Sequence, residues 1–203
     1  MKKLLLILLP LSMFVLGFKL VNSTANYSTY SKVSDESKVE WKAWHLGKTG
    51  ERYGIVKLKS GKLNLKDGKL HSGKFIMDIL NLTVENFDDD NNEKLMDHLN
   101  SMDFFMTDEF PTAKFEITNA TPIEGEYNYL LEGNLLIKNV NKNIQFNVNV
   151  IQTEKEISLV SEYFEVDRTD WGLNYHTESS VGIPVDYLIA NEIAFKIHLK
   201  LTK

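Results

Sequence analysis

The segment that ends the chain constrains its fold most. Ile193, Phe195, Ile197, Leu199 and Leu201 alternate with Ala194, Lys196, His198 and Lys200, so one face is apolar and the other mainly polar. A period of two held from Ile193 to Leu201 fits a half-buried β-strand and not a helix, whose apolar positions recur every third or fourth residue. The same period recurs in Val39, Trp41 and Ala43, and in Gly54, Val56 and Leu58 of a strand over Gly50–Leu58. It returns in Gly73, Phe75, Met77 and Ile79, in Leu131, Gly133, Leu135 and Ile137, and in Ile144, Phe146, Val148 and Val150. Tyr30–Val33 and Glu156–Val166 read as further strands. Turn signals separate them. Asp67-Gly68 tolerates the positive φ of a tight hairpin. Ser60-Gly61, Thr121-Pro122 with Glu124-Gly125, and Asn139-Val140-Asn141-Lys142 mark other turns. About eight strands at hairpin spacing predict an all-β chain, an antiparallel up-and-down eight-stranded barrel whose closure removes exposed edges.

One stretch departs from this period. In Asn92–Ile117, Leu95, Met96 and Leu99 share a helical face, which predicts one short helix near residues 92–101. Pro111 stops any helix, and Ala113, Phe115 and Ile117 resume the strand alternation. The aromatic pair Phe104-Phe105 lies between. Glu85–Asn92, with Asp88-Asp89-Asp90, reads as a solvated loop leading into the helix.

Lys94-Leu95, His98-Leu99, Ser101, Asp103-Phe104-Phe105 and Phe110-Pro111-Thr112-Ala113-Lys114-Phe115 together resemble the central signature of the YceI-like family. Arg168-Thr169-Asp170-Trp171-Gly172 resembles its Arg-x-Asp-Phe/Trp-Gly segment, and Trp44-His45-Leu46-Gly47 stands where the family has a His-Leu-Gly turn. Asn141-Lys142 departs from the commoner Thr-Lys. The resemblance covers residues 30–202. It implies a periplasmic or secreted lipocalin-like barrel that binds polyisoprenoid and related lipids without covalent chemistry. Such proteins often pair as homodimers, which this sequence leaves open.

Met1-Lys2-Lys3, the apolar run Leu4–Phe18 and the small residues of Ser23-Thr24-Ala25 read as a signal peptide over residues 1–25, with one domain expected over 26–203. The run is shorter than the roughly 20 residues that span a bilayer. An uncleaved anchor is the alternative, since Lys19 follows closely. Cleavage removes Lys2, Lys3 and Lys19, which leaves 20 basic residues against 28 acidic ones, a charge of −8. That balance argues against a nucleic-acid surface and against tight binding to anionic lipid head groups, so no stable membrane insertion is expected after cleavage. The chain has no Cys, which excludes disulfides and thiol catalysis.

The sequence carries no catalytic motif, and no catalytic residue, metal set or cofactor is expected beyond a bound isoprenoid or acyl lipid. His45 and His176 could approach each other, but two imidazoles make a weak zinc set. His98 reads as a packing or capping residue and His198 as a surface one. Inward alternation nominates Val56, Leu58, Phe75, Met77 and Phe115 as ligand-lining residues, with Ile137, Phe146, Val148, Phe195 and Ile197 from the second half. The inward glycines Gly54, Gly73 and Gly133 are expected to leave lumen space. Phe104 and Phe105 read as core aromatics or as the wall where a lipid tail enters. Arg168 reads as a brace forked onto a carboxylate that fixes the Trp171-Gly172 turn, or as a grip on a ligand's polar head, with Trp171 beside it. Two rivals stand beside lipid carriage. One is an enzyme built on Asp167, Arg168, Asp170 and His176. The other is a barrel filled by its own side chains that acts as an envelope or stress-related interaction protein.

Overall fold

The computed structural model describes residues 25–203. The signal peptide expected over residues 1–25 therefore lies, but for Ala25, outside the described residues. The strands run in chain order as β1 Tyr27–Tyr30, β2 Lys32–Val33, β3 Lys38–His45, β4 Thr49–Lys66, β5 Lys69–Asp78, β6 Thr112–Pro122, β7 Tyr129–Ile137, β8 Val140–Gln152, β9 Glu156–Ser161, β10 Phe164–Asp167 and β11 Glu192–Thr202. Among the described residues the single α-helix, α1, spans Asp89–Asn100 in the crossing between β5 and β6.

All the pairings are antiparallel, and they close on themselves. β3 pairs with β4 and β11, β4 with β5, and the chain then meanders through β6, β7, β8 and β9 back to β11. β1 and β2 extend the β3 position, and β10 extends β9. Eleven strands thus fill eight places in a closed up-and-down sheet. Closure pairs each of the eight places on both sides along part of its length, and β1, β2 and β10 each pair on one side alone.

The breaks within those places have a shared cause. Both flank β11, and at each a buried serine takes over the ladder. Ser37 accepts from Lys200 N and donates to Lys200 O, at 3.0 and 3.1 Å. Ser161 accepts from Ile197 N at 2.8 Å. The expected strand Glu156–Val166 is therefore two, kinked at Glu162-Tyr163. The first strand begins at Tyr27, earlier than expected.

Three other expectations need correction. Ser60-Gly61 is no turn, since β4 runs straight through it with a bulge between Leu58 and Ser60. The extra residue switches the inward face from Gly54, Val56 and Leu58 to Gly61, Leu63 and Leu65. The β7–β8 turn is Lys138-Asn139, at φ 45° and 62°, because Ile137 pairs with Val140 and this register keeps Leu131 beside Phe146. The Asp67-Gly68 hairpin does form, with both residues at positive φ. Finally, the three acids do not precede the helix as a loop. The Asp88 carboxylate accepts from Asn91 N at 3.0 Å and caps α1, while Asp89 and Asp90 sit in the first turn, where the helix dipole favours negative charge.

The up-and-down order gives the barrel two unlike ends. Short turns close the lower one: Tyr30 Oη donates to Thr153 O at 2.7 Å, and Gln152 Nε2 donates to Gly68 O at 2.9 Å. Long connections cover the upper one, namely 79–111 with α1 and 168–191 ahead of β11. After β5 ends, Thr83 N and Glu85 N bond Ile55 O and Tyr53 O, both at 2.9 Å, so this segment replaces β5 beside the upper half of β4.

Candidate ligand cavity

The inward residues of the lower end pack against one another and are almost sealed. Leu63, Val148, Ile157 and Leu201 have no exposed surface. Higher in the barrel, Val39, Leu58, Phe164, Phe195 and Ile197 also point inward but are only half-buried. An inward side chain that stays accessible faces empty space. That space is a cavity of about 120 Å3, lined by apolar side chains from all eight places in the ring. It is on the order of ten times the room a single water needs.

Four phenylalanines wall one side. The Phe146 and Phe164 rings stack at 4.3 Å and 8°, with Phe115 at 5.5 Å from Phe146 and Phe195 at 6.0 Å from Phe164. Ile79, Leu82, Leu99, Phe104 and Phe105 from the upper crossing line the opposite end. The pattern of α1 explains Leu99, the one helix residue that is fully buried. With no polar group on its wall, the cavity offers water nothing to bond and suits a hydrocarbon.

Of the residues nominated from sequence, Val56, Leu58, Phe75, Met77, Phe115 and Ile137 line this space. So do Phe146, Phe195, Ile197, Phe104 and Phe105. Three do not. Val148 is inward but lies in the packed lower end, with no exposed surface. Trp171 is buried in the upper rim, where its Nε1 donates to Leu135 O at 3.0 Å. Arg168 is 1% exposed and makes no ion pair among the described residues, so the expected fork onto a carboxylate is corrected. Its guanidinium donates instead to three carbonyls, Ala190 O at 3.0 Å, Ile189 O at 3.2 Å and Leu173 O. Its own N–H bonds Asn191 O at 2.8 Å. Burial pulls its pKa below the usual arginine value, opposed by nearby Asp167 and Glu178. Arg168 is thus a peg that holds the segment 173–191 to the barrel. Gly172, at φ 73°, completes the turn after Trp171.

The glycines do not open the lumen as expected. A Cβ on Gly133 would lie 2.4 Å from the Phe115 ring, and one on Gly73 would lie 2.7 Å from Leu63. A Cβ on Gly54 would lie 1.8 Å from Thr83 O. Each absent side chain is replaced by a neighbour. His45 bridges to Ile189, whose N–H bonds His176 O, so the two histidines do share a rim. Among the described residues, no group of three or more His, Asp or Glu side chains could hold a metal. His98 packs on Tyr175 at 4.4 Å, and His198 is half-buried beside Glu40 at 3.4 Å.

Phe164, Ile193, Val39 and Trp41 were not nominated, although each lines the cavity. Their alternation was available. What alternation lacks is depth, the height of a residue along the barrel axis.

No curated protein matches the chain significantly. Solved structures do. BcnA of Burkholderia cenocepacia superposes with a TM-score of 0.58 at 20% identity, over 81% of this chain and 95% of that one. A polyisoprenoid binding domain from Saccharophagus degradans, implicated in plant cell wall breakdown, gives 0.57 at 12% identity, over 86% and 99%. The YCEI protein of Campylobacter jejuni gives 0.51 at 15% identity, over 100% and 99%. At these identities the likeness is one of fold. The model of the YceI-like domain matches residues 30–201, and the chain belongs to that family.

Proposed function

We propose that this protein sequesters or carries a long apolar lipid, a polyisoprenoid, an isoprenoid quinone or a fatty-acid derivative, in the upper half of its barrel. The observation that carries this reading is a cavity with a wholly apolar wall inside a closed sheet. Ten methylenes buried there gain on the order of 8 kcal/mol before the loss of chain freedom, enough to hold a tail without covalent chemistry. The polyisoprenoid binding title of the Saccharophagus relative supports an isoprenoid among these tails. The protein acts as a binder and not an enzyme: Arg168, the centre of the rival catalytic cluster, spends its donors on backbone carbonyls. It works in the periplasm or outside the cell after loss of residues 1–25. No helix among the described residues is long and apolar enough to cross a membrane.

Native mass spectrometry of the mature protein from a lipid-containing host, with solvent extraction, tests this. A stoichiometric added mass that extracts as an isoprenoid, quinone or acyl chain is the expected result. A protein that stays bare after incubation with such lipids overturns it in favour of the interaction protein.

A further inference from the structure

The acidic surplus of this chain is unevenly spread. Residues 49–78, the β4–β5 hairpin, hold seven basic residues against three acidic ones, a charge of +4. The rest of 26–203 holds 13 against 25, a charge of −12. The basic side chains of the hairpin share a face. Lys57, Lys59, Lys62 and Lys66 on β4 and Lys69 and Lys74 on β5 are exposed, while Val56, Leu63, Leu65 and Phe75 between them are buried inward. Lys114 on β6 adds a seventh lysine, exposed and opposite Ile76 on β5.

The strand register sets like charges against one another. Lys57 stands opposite Lys38, Lys62 opposite Lys74, and Lys66 opposite Lys69. Like charges directly opposite destabilise a sheet, so folding alone does not favour this arrangement. Lys59 reaches Asp78 at 3.2 Å and Lys74 reaches Glu116 at 3.0 Å. Among the described residues Lys57, Lys62, Lys66, Lys69 and Lys114 pair with no carboxylate. The face ends at β7, where Leu136 and Asn134 stand opposite Lys114 and Glu116. The upper crossing, 79–111, has the reverse character: nine acidic residues and Lys94 give it a charge of −8.

We propose that the outer face of β4, β5 and β6 docks on an anionic lipid bilayer, with the barrel lying on its side and the acidic crossing kept off the membrane plane. The inference does not depend on what fills the cavity. The net charge argues against such a surface only because it averages two unlike regions. Beyond a Debye length of about 8–10 Å charges are screened, so a bilayer meets the near face alone. That face is the convex outer wall of a closed sheet, which suits a fluid plane of phosphates and needs no pocket. Each lysine held near such a plane strengthens binding about fivefold. Nucleic acid is gripped with arginine forks and stacked rings, whereas the outward residues of β4 from Lys57 to Lys66 are lysine, serine and asparagine.

The test is co-sedimentation of the mature protein with vesicles in low salt. Phosphatidylcholine vesicles containing a quarter of phosphatidylglycerol should retain it, phosphatidylcholine alone should not, and high salt should release it. Lys57→Gln/Lys62→Gln/Lys114→Gln should weaken retention about a hundredfold, as the loss of three lysines predicts. Lys94→Gln/Lys142→Gln/Lys196→Gln removes the same charge from other faces and should stay within about threefold of wild type. The single variant Lys62→Gln separates docking from folding. It relieves the pair with Lys74, so its urea midpoint should hold or rise, while retention falls about fivefold. A midpoint that falls together with retention makes Lys62 structural and overturns the inference. Retention that is absent, equal on both vesicle types, indifferent to salt, or weakened alike by the two triple variants overturns it too. Binding to a mixed-sequence DNA duplex as tight as to the anionic vesicles overturns it in favour of nucleic acid. If the first triple variant does not fold, Lys62→Gln and Lys114→Gln carry the test, and each must weaken retention on the anionic vesicles.

Discussion

The two ends of this barrel use the same strands for opposite purposes. β8 shows the contrast within three residues. Phe146 lines the cavity, whereas Val148, the next inward residue, has no exposed surface and packs in the lower end. Below, side chains fill the barrel and short turns lace the rim. Above, long connections arch over the strands, and several inward residues, Leu58, Phe164, Phe195 and Ile197 among them, stay half-buried. A barrel of this size can be solid or hollow, and here one half is each. The lower half supplies stability, which frees the upper half to carry a void that would otherwise cost packing energy.

That division predicts unequal responses. Val148→Asp places an unpaired charge in the sealed end and should cost on the order of 4 kcal/mol or more, enough to prevent folding. A soluble variant with an unchanged urea midpoint would show that the lower end is not the stabilising half. Leu63→Ala should cost about 3 kcal/mol in the same assay, as a cavity in a close-packed region does.

Arg168→Met comes next and concerns the upper cover. The substitution strips three carbonyls of a charged donor, and each such bond contributes about 1.5–3 kcal/mol. The loss should be partly local, with faster hydrogen exchange across residues 173–191 and little change at the lower rim. Protection that falls evenly over the whole barrel would mean Arg168 belongs to the common core.

How far this division could be read in advance depends on the residue. Alternation told inside from outside correctly along most strands. It also marked the bulges, had the phase been followed. The inward face moves from Leu58 to Leu63 across the β4 bulge, and from Ser161 to Phe164 across the kink after β9. Each shift from even to odd numbering, or back, is one inserted residue. Ser60-Gly61 hid the first because the pair looks like a turn. Depth along the barrel was not legible, since Phe146 and Val148 are equivalent in pattern. Nor were the partners of Arg168, because a carbonyl is present at every residue and leaves no mark in the sequence.

Ile197→Ala and Leu58→Ala sharpen the contrast from the hollow side. Both side chains already face empty space, so truncation should cost about 1 kcal/mol or less, well below the ~2–5 kcal/mol of a packed leucine. Lipid uptake should respond more than stability. Phe146→Asp should abolish uptake, because a carboxylate in an apolar wall opposes a hydrocarbon tail, whereas Lys200→Ala should leave uptake unchanged. Equal uptake by Phe146→Asp and Lys200→Ala would place the ligand elsewhere.

The smallest effect tests whether the upper cover is held locally. Asp88 caps α1 through Asn91 N, and that bond, with the Asn91 side-chain bond second, lowers its pKa from the ordinary aspartate value. A carboxylate with a lowered folded pKa contributes stability above its unfolded pKa and loses it as pH falls through the folded one. Hydrogen exchange at the Asn91 amide should therefore be slow at neutral pH and quicken, relative to the intrinsic rate, on acidification through that range. Asp88→Ala should show the quickened exchange at every pH, with the melting temperature of the barrel nearly unchanged. An Asn91 amide equally protected in Asp88→Ala and wild type would mean that the packing of Leu99 on the cavity, and not the cap, holds the helix in place.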